Sequence, residues 1–261
     1  MSMLVASLAS GSSGNSYYLQ SPEGAMLVDA GLSGRRLLEN LRAVGGDPAL
    51  VRGVIVTHEH RDHAGAAGIL HRRHGWKLWM TPGTREGVGD RLGKAEVEAI
   101  GAGSGLIAGG FRFEFAATPH DSREPVAVTA ERGARRCGIF TDLGHPFPGL
   151  AELVSRLDCV FLESNYDPGL LAANPNYRPP LKSWIRGEGG HLANAEAGRL
   201  VRDLPGARPR RVILSHLSLE NNRPDLAYRC FTGLTAGRAE NYGMLTLVAP
   251  RHDPLRLSEV D

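Results

Sequence analysis

The 261-residue sequence predicts an α/β protein built as a four-layer αββα sandwich, and three observations lead there. Short β-branched apolar runs, such as Gly53-Val54-Ile55-Val56, recur along the chain and read as buried strands. Stretches with helical spacing of apolar residues alternate with them. This alternation occupies two successive halves, each delivering polar residues to the ends of its strands. Two halves that each bury a sheet face under helices imply two sheets between two helical layers. A single domain over 1–261 is long enough to bury a full core without disulfide or metal staples.

Residues 3–8 read as the first strand and 17–20 as the second, joined by the loop Ala9-Ser10-Gly11-Ser12-Ser13-Gly14-Asn15-Ser16. Glycines and small hydroxyl residues let backbone N–H groups face an anion. A plain hairpin turn fits the same composition. A third strand, 25–28, ends in Asp29-Ala30-Gly31, and an acid ending a buried strand is costly unless donors meet it. Ser33 then caps a helix to about residue 44, with Leu37, Leu38 and Leu41 on its inner face.

The stretch that organises the chain follows the 53–56 strand: Thr57-His58-Glu59-His60-Arg61-Asp62-His63-Ala64-Gly65. Three imidazoles and an aspartate lie within six positions on a strand-to-helix turn, where side chains from one loop can converge. Neutral imidazole nitrogens and carboxylate oxygens are donors that Zn, Mn and Fe accept. A solvated histidine-rich turn would explain one or two of these residues but not the spacing after a buried strand. Glu59 and Arg61, at the intervening positions, are expected to point elsewhere.

Beyond it, 64–74 reads as a helix with His71 and His74 at its solvent end, and 77–79 as a short strand. A helix starting at Pro82 within 81–93, a hairpin over 106–115 through Gly109-Gly110, and strands 126–130 and 135–140 follow. His120 comes after one strand and Asp142 after a later one, so both can supply further ligands. The buried run 157–162 ends in Glu163, and a looped or helical section leads to Gly189-Gly190-His191 and a helix over 195–203. Strand 211–214 ends in Ser215-His216, and a helix over 224–232 and a strand over 244–248 close the pattern.

Thirty Lys+Arg against 28 Asp+Glu leave no global basic field of the kind that announces nucleic acid. Local basic candidates remain at Arg72-Arg73, at 208–211 and in the 178–186 segment. Three scattered cysteines without a Cys-x-x-Cys pair suit a reducing cytoplasm, with Cys137 and Cys159 expected in the core. No basic leader or long apolar segment supports a signal peptide or a membrane span.

His-x-His-x-Asp-His is similar to the signature of the metallo-β-lactamase fold, and the likeness covers essentially the whole chain. That resemblance implies two divalent metal ions, Zn, Mn or Fe, with His58, His60 and His120 on one and Asp62, His63 and His216 on the other. Asp142 would lie between the ions, Asp62 would also serve catalysis, and Asp29 would hold the histidine loop. In ribonuclease Z-like members of the fold a glutamate and a histidine at the places of Glu163 and His191 form an acid pair that protonates an alkoxide leaving group. Leu8 to Asn15, Val28-Asp29-Ala30-Gly31-Leu32-Ser33-Gly34, Leu162-Glu163-Ser164-Asn165, Gly190-His191-Leu192 and His216-Leu217-Ser218 with Asn221-Asn222 resemble the YycJ/WalJ branch of bacterial proteins. This narrower likeness implies a 5′ to 3′ DNA exonuclease linked to replication or repair, with Ser10, Ser12, Ser13, Asn15, Asn221 and Asn222 against a substrate phosphate. The residues themselves do not separate DNA from RNA, exo- from endonuclease action or one oligomeric state from another, and they give His145 no role. A thioesterase of the glyoxalase II type would share the metal ligands without needing Glu163 and His191. A non-catalytic metal-binding regulatory module is the reading from a third class.

Overall fold

The computed structural model describes residues 3–257, and the chain divides into two compact units. The first holds the residues up to Ala117, Ser122–Arg135 and the stretch from Pro250; the second holds Thr118–Asp121 and Arg136–Ala249.

In the first unit an antiparallel meander of β1 (Leu4–Ala9), β2 (Ser16–Ser21) and β3 (Gly24–Val28) leads into α1 (Gly34–Ala43). Ser33 caps α1 by accepting from the Arg36 N–H, and Leu37, Asn40 and Leu41 form its buried side. A parallel run follows: β4 (Val51–Ile55), the short α2 (Arg61–Ala64), α3 (Ala67–His74), β5 (Lys77–Met80), α4 (Pro82–Val88) and β6 (Val97–Ala99). Leu37, Leu41, Leu70 and Leu78 pack with Leu8, Leu27, Val54 and Val56 in one continuous core. Val28 lies in register with Ile55, so Asp29 and the Val56-Thr57-His58 segment leave the sheet at the same end. The antiparallel strands β7 (Gly105–Ala108), β8 (Phe111–Ala117) and β9 (Val126–Arg132) form a second meander, whose inward Phe111, Phe113 and Phe115 alternate with exposed Arg112 and Glu114.

The second unit is a parallel sheet of β10 (Arg135–Phe140), β11 (Cys159–Glu163), β12 (Arg211–Ser215) and β13 (Leu245–Val248). Its central strands read Cys-Val-Phe-Leu-Glu and Arg-Val-Ile-Leu-Ser and are almost wholly buried, as strands covered on both faces are. Between the strands lie α5 (Leu150–Ser155), α6 (Pro168–Ala173), α7 (Pro179–Arg186), α8 (Asn194–Arg202) and α9 (Pro224–Tyr242). Cys137 and Cys159 are buried register neighbours on β10 and β11, and both are free thiols. The chain then returns to the first unit, where β14 (Leu255–Leu257) pairs with β1.

The helix expected over 64–74 starts only at Ala67, as α3, and a separate short helix, α2, precedes it over Arg61–Ala64. Asp62 O, which would accept from the Ala66 N–H in a continuous helix, accepts instead from Asn15 N at 2.7 Å. Ala66 N donates to Ala30 O at 2.8 Å, and α3 restarts there. The helix expected over 81–93 ends at Val88, where Gly89 takes a φ of 55° and a 3-10 turn follows. His71 is not a bare solvent histidine, since its Nδ1 lies 2.8 Å from Trp76 O at the end of α3.

A candidate metal centre

In the first unit the histidine turn is held from below by Asp29. One carboxylate oxygen accepts from Thr57 N at 2.8 Å and Thr57 Oγ1 at 3.0 Å, and the other lies 2.7 Å from His63 Nδ1. All three groups are buried, so the bonds supply the donors that a strand-end acid requires. With Nδ1–H given to the carboxylate, His63 presents Nε2 as its ligand atom. Asn15 comes to the same place: its main-chain N–H is on Asp62 O, and its Nδ2 lies 2.9 Å from His63 Nε2. Gly31 makes this approach possible, because a Cβ there would sit 1.6 Å from Asp62 O. His58 and His60 meet with Nε2 and Nδ1 3.1 Å apart. Two nitrogens bound to one tetrahedral ion at ~2.1 Å stand roughly 3.4 Å apart, so the pair fits a shared cation. Glu59 turns aside to the Arg123 N–H and Arg61 is exposed.

In the second unit parallel register does the assembling. Phe140, Leu162 and Leu214 are neighbours, so the residues just beyond them leave three strands at one edge, where open parallel sheets place their ligands. Asp142, Glu163 and His216 come from those three ends, and His191 joins them from the turn before α8; their donor atoms lie within 4.8 Å of one another. His120 has Nδ1 3.0 Å from Gly190 O, and its Nε2 lies 3.5 Å from Asp142 Oδ1. Glu163 is saturated: Oε2 accepts from the Leu143 and Leu192 N–H groups, while Oε1 lies 2.9 Å from His191 Nδ1 and 3.0 Å from His216 Nδ1. Burial raises the carboxyl's pKa, but the charge of His191 and the bonds from His191 and His216 outweigh it and hold the group ionised, well below the usual range. Asn165 secures the His216 turn with Nδ2 2.8 Å from His216 O.

Among the described residues, three non-glycine positions carry a positive φ: Asp29 at 64°, Asp142 at 56° and His216 at 55°. That conformation is uncommon for side-chain-bearing residues and gathers at functional sites. Each of the three follows a strand and aims its donor where extended backbone would not.

Of the six residues expected against a phosphate, only Ser12 and Ser13 are exposed. Ser10 Oγ bonds Tyr17 Oη, and Asn15 holds the histidine turn. Asn221 Oδ1 accepts from Asn174 Nδ2, while Asn222 Nδ2 reaches Ser164 O and Asn165 O at 2.8 and 2.9 Å. The four buried side chains thus bind the protein's own loops. Sequence reasoning missed Asn15, Thr57 and Asn165 as supports of the site, because their partners lie 28 to 51 residues away. His145 has Nδ1 2.9 Å from Glu188 O.

Histidines and carboxylates gathered at the ends of strands make a donor set for a metal ion, and the family and relatives of the chain make it a metal-dependent hydrolase. The chain belongs to the metallo-β-lactamase superfamily, whose family model matches residues 9–151. It is 31% identical over 226 residues, 85% of this chain and 84% of the relative, to exodeoxyribonuclease WalJ of Streptococcus pneumoniae. It is 29% identical over 223 residues, 84% of each, to exodeoxyribonuclease YycJ of Bacillus anthracis. The α/β sandwich fold is shared with the metallo-β-lactamase fold protein YhfI of Bacillus subtilis, at a TM-score of 0.73 and 18% identity over 98% of this chain and all of that one. No helix among the described residues is long and apolar enough to cross a membrane.

Proposed function

We propose that this protein is a nuclease that hydrolyses phosphodiester bonds of DNA with two divalent metal ions, as a 5′ to 3′ exonuclease of the bacterial cytoplasm. The observation that carries the reading is the Glu163–His191 pair, 2.9 Å apart and attached through the same carboxylate oxygen to His216. In this reading His58, His60 and His120 would hold one ion, Asp62, His63 and His216 the other, and Asp142 both; the spacing of the histidine turn and membership of the superfamily support that set. Such ions, when bound, supply Lewis acidity and a nucleophile at neutral pH.

The chain's own residues do the rest. Asp29 and Glu163 fix the rings of His63 and His216, so that each presents Nε2 outward. His191, as the imidazolium, gives Nδ1–H to Glu163 and keeps Nε2–H for transfer. A deoxyribose alkoxide is a poor leaving group, and a proton delivered as the P–O bond breaks lets it depart. A thioesterase of the glyoxalase II type would need Glu163 only to fix His216 and would leave His191 without a proton to deliver. The test is degradation of end-labelled single- and double-stranded DNA and RNA with Mn and with Zn. Mononucleotides released progressively from a DNA 5′ end are expected; hydrolysis of S-lactoylglutathione with DNA left intact would overturn the reading.

A further inference from the structure

The 178–186 segment, set apart by its charge, becomes α7, and its surface carries an aromatic side chain that the chemistry above does not use. Leu181 and Trp184, three residues apart on this helix, are both exposed. Trp184 is 38% exposed, whereas the other two tryptophans, Trp76 and Trp79, are buried at 3% and 4%.

The indole of Trp184 is exposed but not loose. Its Nε1–H donates to Asp121 Oδ2 at 2.9 Å, and the Asp121 N–H is in turn bonded to Gly189 O at 2.9 Å. The ring stands at 89° to the His191 imidazole, with centres 5.8 Å apart. The backbone ties the two residues together: His191 N donates to Ile185 O at 3.0 Å and Gly187 N to Trp184 O at 2.9 Å. Gly190 lets the segment lie against the helix end, because a Cβ there would meet Ile185 O at 2.2 Å and Trp184 O at 2.4 Å. Beneath, Ile185 is locked into a small core with Tyr166, Leu171 and Ala193. Trp184 therefore holds a set position relative to His191.

We propose that Trp184 is a stacking platform for a nucleobase at a single-stranded DNA end, placing the neighbouring phosphate before His191; this rests on the nuclease reading above. A base is joined to its phosphate through one sugar, so a separation of 5.8 Å between ring centres lets one nucleotide engage both side chains. Stacking on an aromatic ring tolerates every base, since each has a π-face. Inside a duplex both faces of a base are covered by its stacked neighbours, so the ring takes its base from a single-stranded end. Arg178 and Arg186, exposed at the two ends of the same helix, add positive charge for the strand's phosphates. Two apolar side chains are far too small a surface for a stable protein interface, which covers roughly 1,000 Å² or more.

The test uses the full-length, metal-loaded protein and a hexathymidylate with phosphorothioate linkages, which resist hydrolysis. Tryptophan fluorescence should fall saturably on titration, and the fall should vanish in Trp184→Phe, which keeps a ring but not the signal. The affinity of the fluorescein-labelled oligomer, read by anisotropy, should drop about tenfold or more in Trp184→Ala and be largely restored in Trp184→Phe. On cleavable DNA the Ala variant should raise KM more than it lowers kcat. Unchanged affinity in Trp184→Ala, or quenching that persists in Trp184→Phe, would overturn the platform, as would quenching by hexauridylate and not by the DNA. Quenching without cleavage of any DNA would remove the nuclease reading and leave the platform standing. Cleavage without quenching would do the reverse.

Discussion

Nδ1 of His216 lies 3.0 Å from Oε1 of Glu163, and that same oxygen is 2.9 Å from Nδ1 of His191. One buried carboxylate thus orients both a candidate metal ligand and the candidate proton donor. Neutralising it should weaken both at once. Glu163→Gln keeps the shape and an oxygen for the Leu143 and Leu192 N–H groups but removes the charge. Metal content and kcat are each expected to fall about 10- to 100-fold, with the far-UV CD spectrum unchanged. Metal analysis beside a nuclease assay checks this, and full metal content with full activity would contradict it.

Asp29 combines a φ of 64° with bonds to Thr57 N, Thr57 Oγ1 and His63 Nδ1. Asparagine tolerates that backbone, so Asp29→Asn should fold well and lose chiefly its hold on the His63 ring. Asp29→Ala adds left-handed strain and leaves the buried Thr57 N–H unpaired, together roughly 2–4 kcal/mol. Urea denaturation of the two variants should therefore separate them clearly, with the alanine variant the weaker. Equal midpoints would show that the carboxylate does not carry the turn.

Asn222 makes a sharper contrast between support and substrate contact. Its Nδ2 bonds Ser164 O and Asn165 O, and its Oδ1 accepts from Arg223 N. Asn222→Ala leaves these buried groups unpaired, a loss of about 2–4 kcal/mol in stability. At a temperature where the variant is folded, its KM for DNA should stay within about twofold of wild type. A large rise in KM at unchanged stability would return Asn222 to the phosphate.

What could be read along the chain was whatever its neighbours decide. The 53–56 run gave β4 apart from its ends, and Ser33 gave the start of α1, since apolar spacing and a cap are local. The break between α2 and α3 was invisible because it depends on Asp62 O choosing Asn15, 47 positions away in sequence. β6 and β14 are three residues each, too short for any alternation to register. α9 runs ten residues past the expected end at Thr232, where Gly233 and Gly237 weaken the helical pattern. Burial of Phe231, Thr235 and Arg238 offsets that, and the Arg238 guanidinium binds the carbonyls of Leu204, Gly206 and Arg208. In the site, the strand-end acids and histidines could be picked out one by one as candidates. The sharing of Glu163 between His191 and His216 could not, because only the register of β11 with β12 creates it.

That sharing sets the last expectation, which concerns the leaving group. A proton donor matters in proportion to the basicity of the oxygen it serves. The sugar alkoxide released from DNA is strongly basic, whereas nitrophenolate departs with little help. His191→Ala should therefore lower kcat on an oligonucleotide by about 100-fold or more, while hydrolysis of bis(p-nitrophenyl) phosphate falls less than about tenfold. Because His191 also shares Glu163 with His216, metal content must be measured on the same preparation. Equal slowing on both substrates at full metal content would take the proton-donor role away from His191 and leave it the task of steadying the cluster.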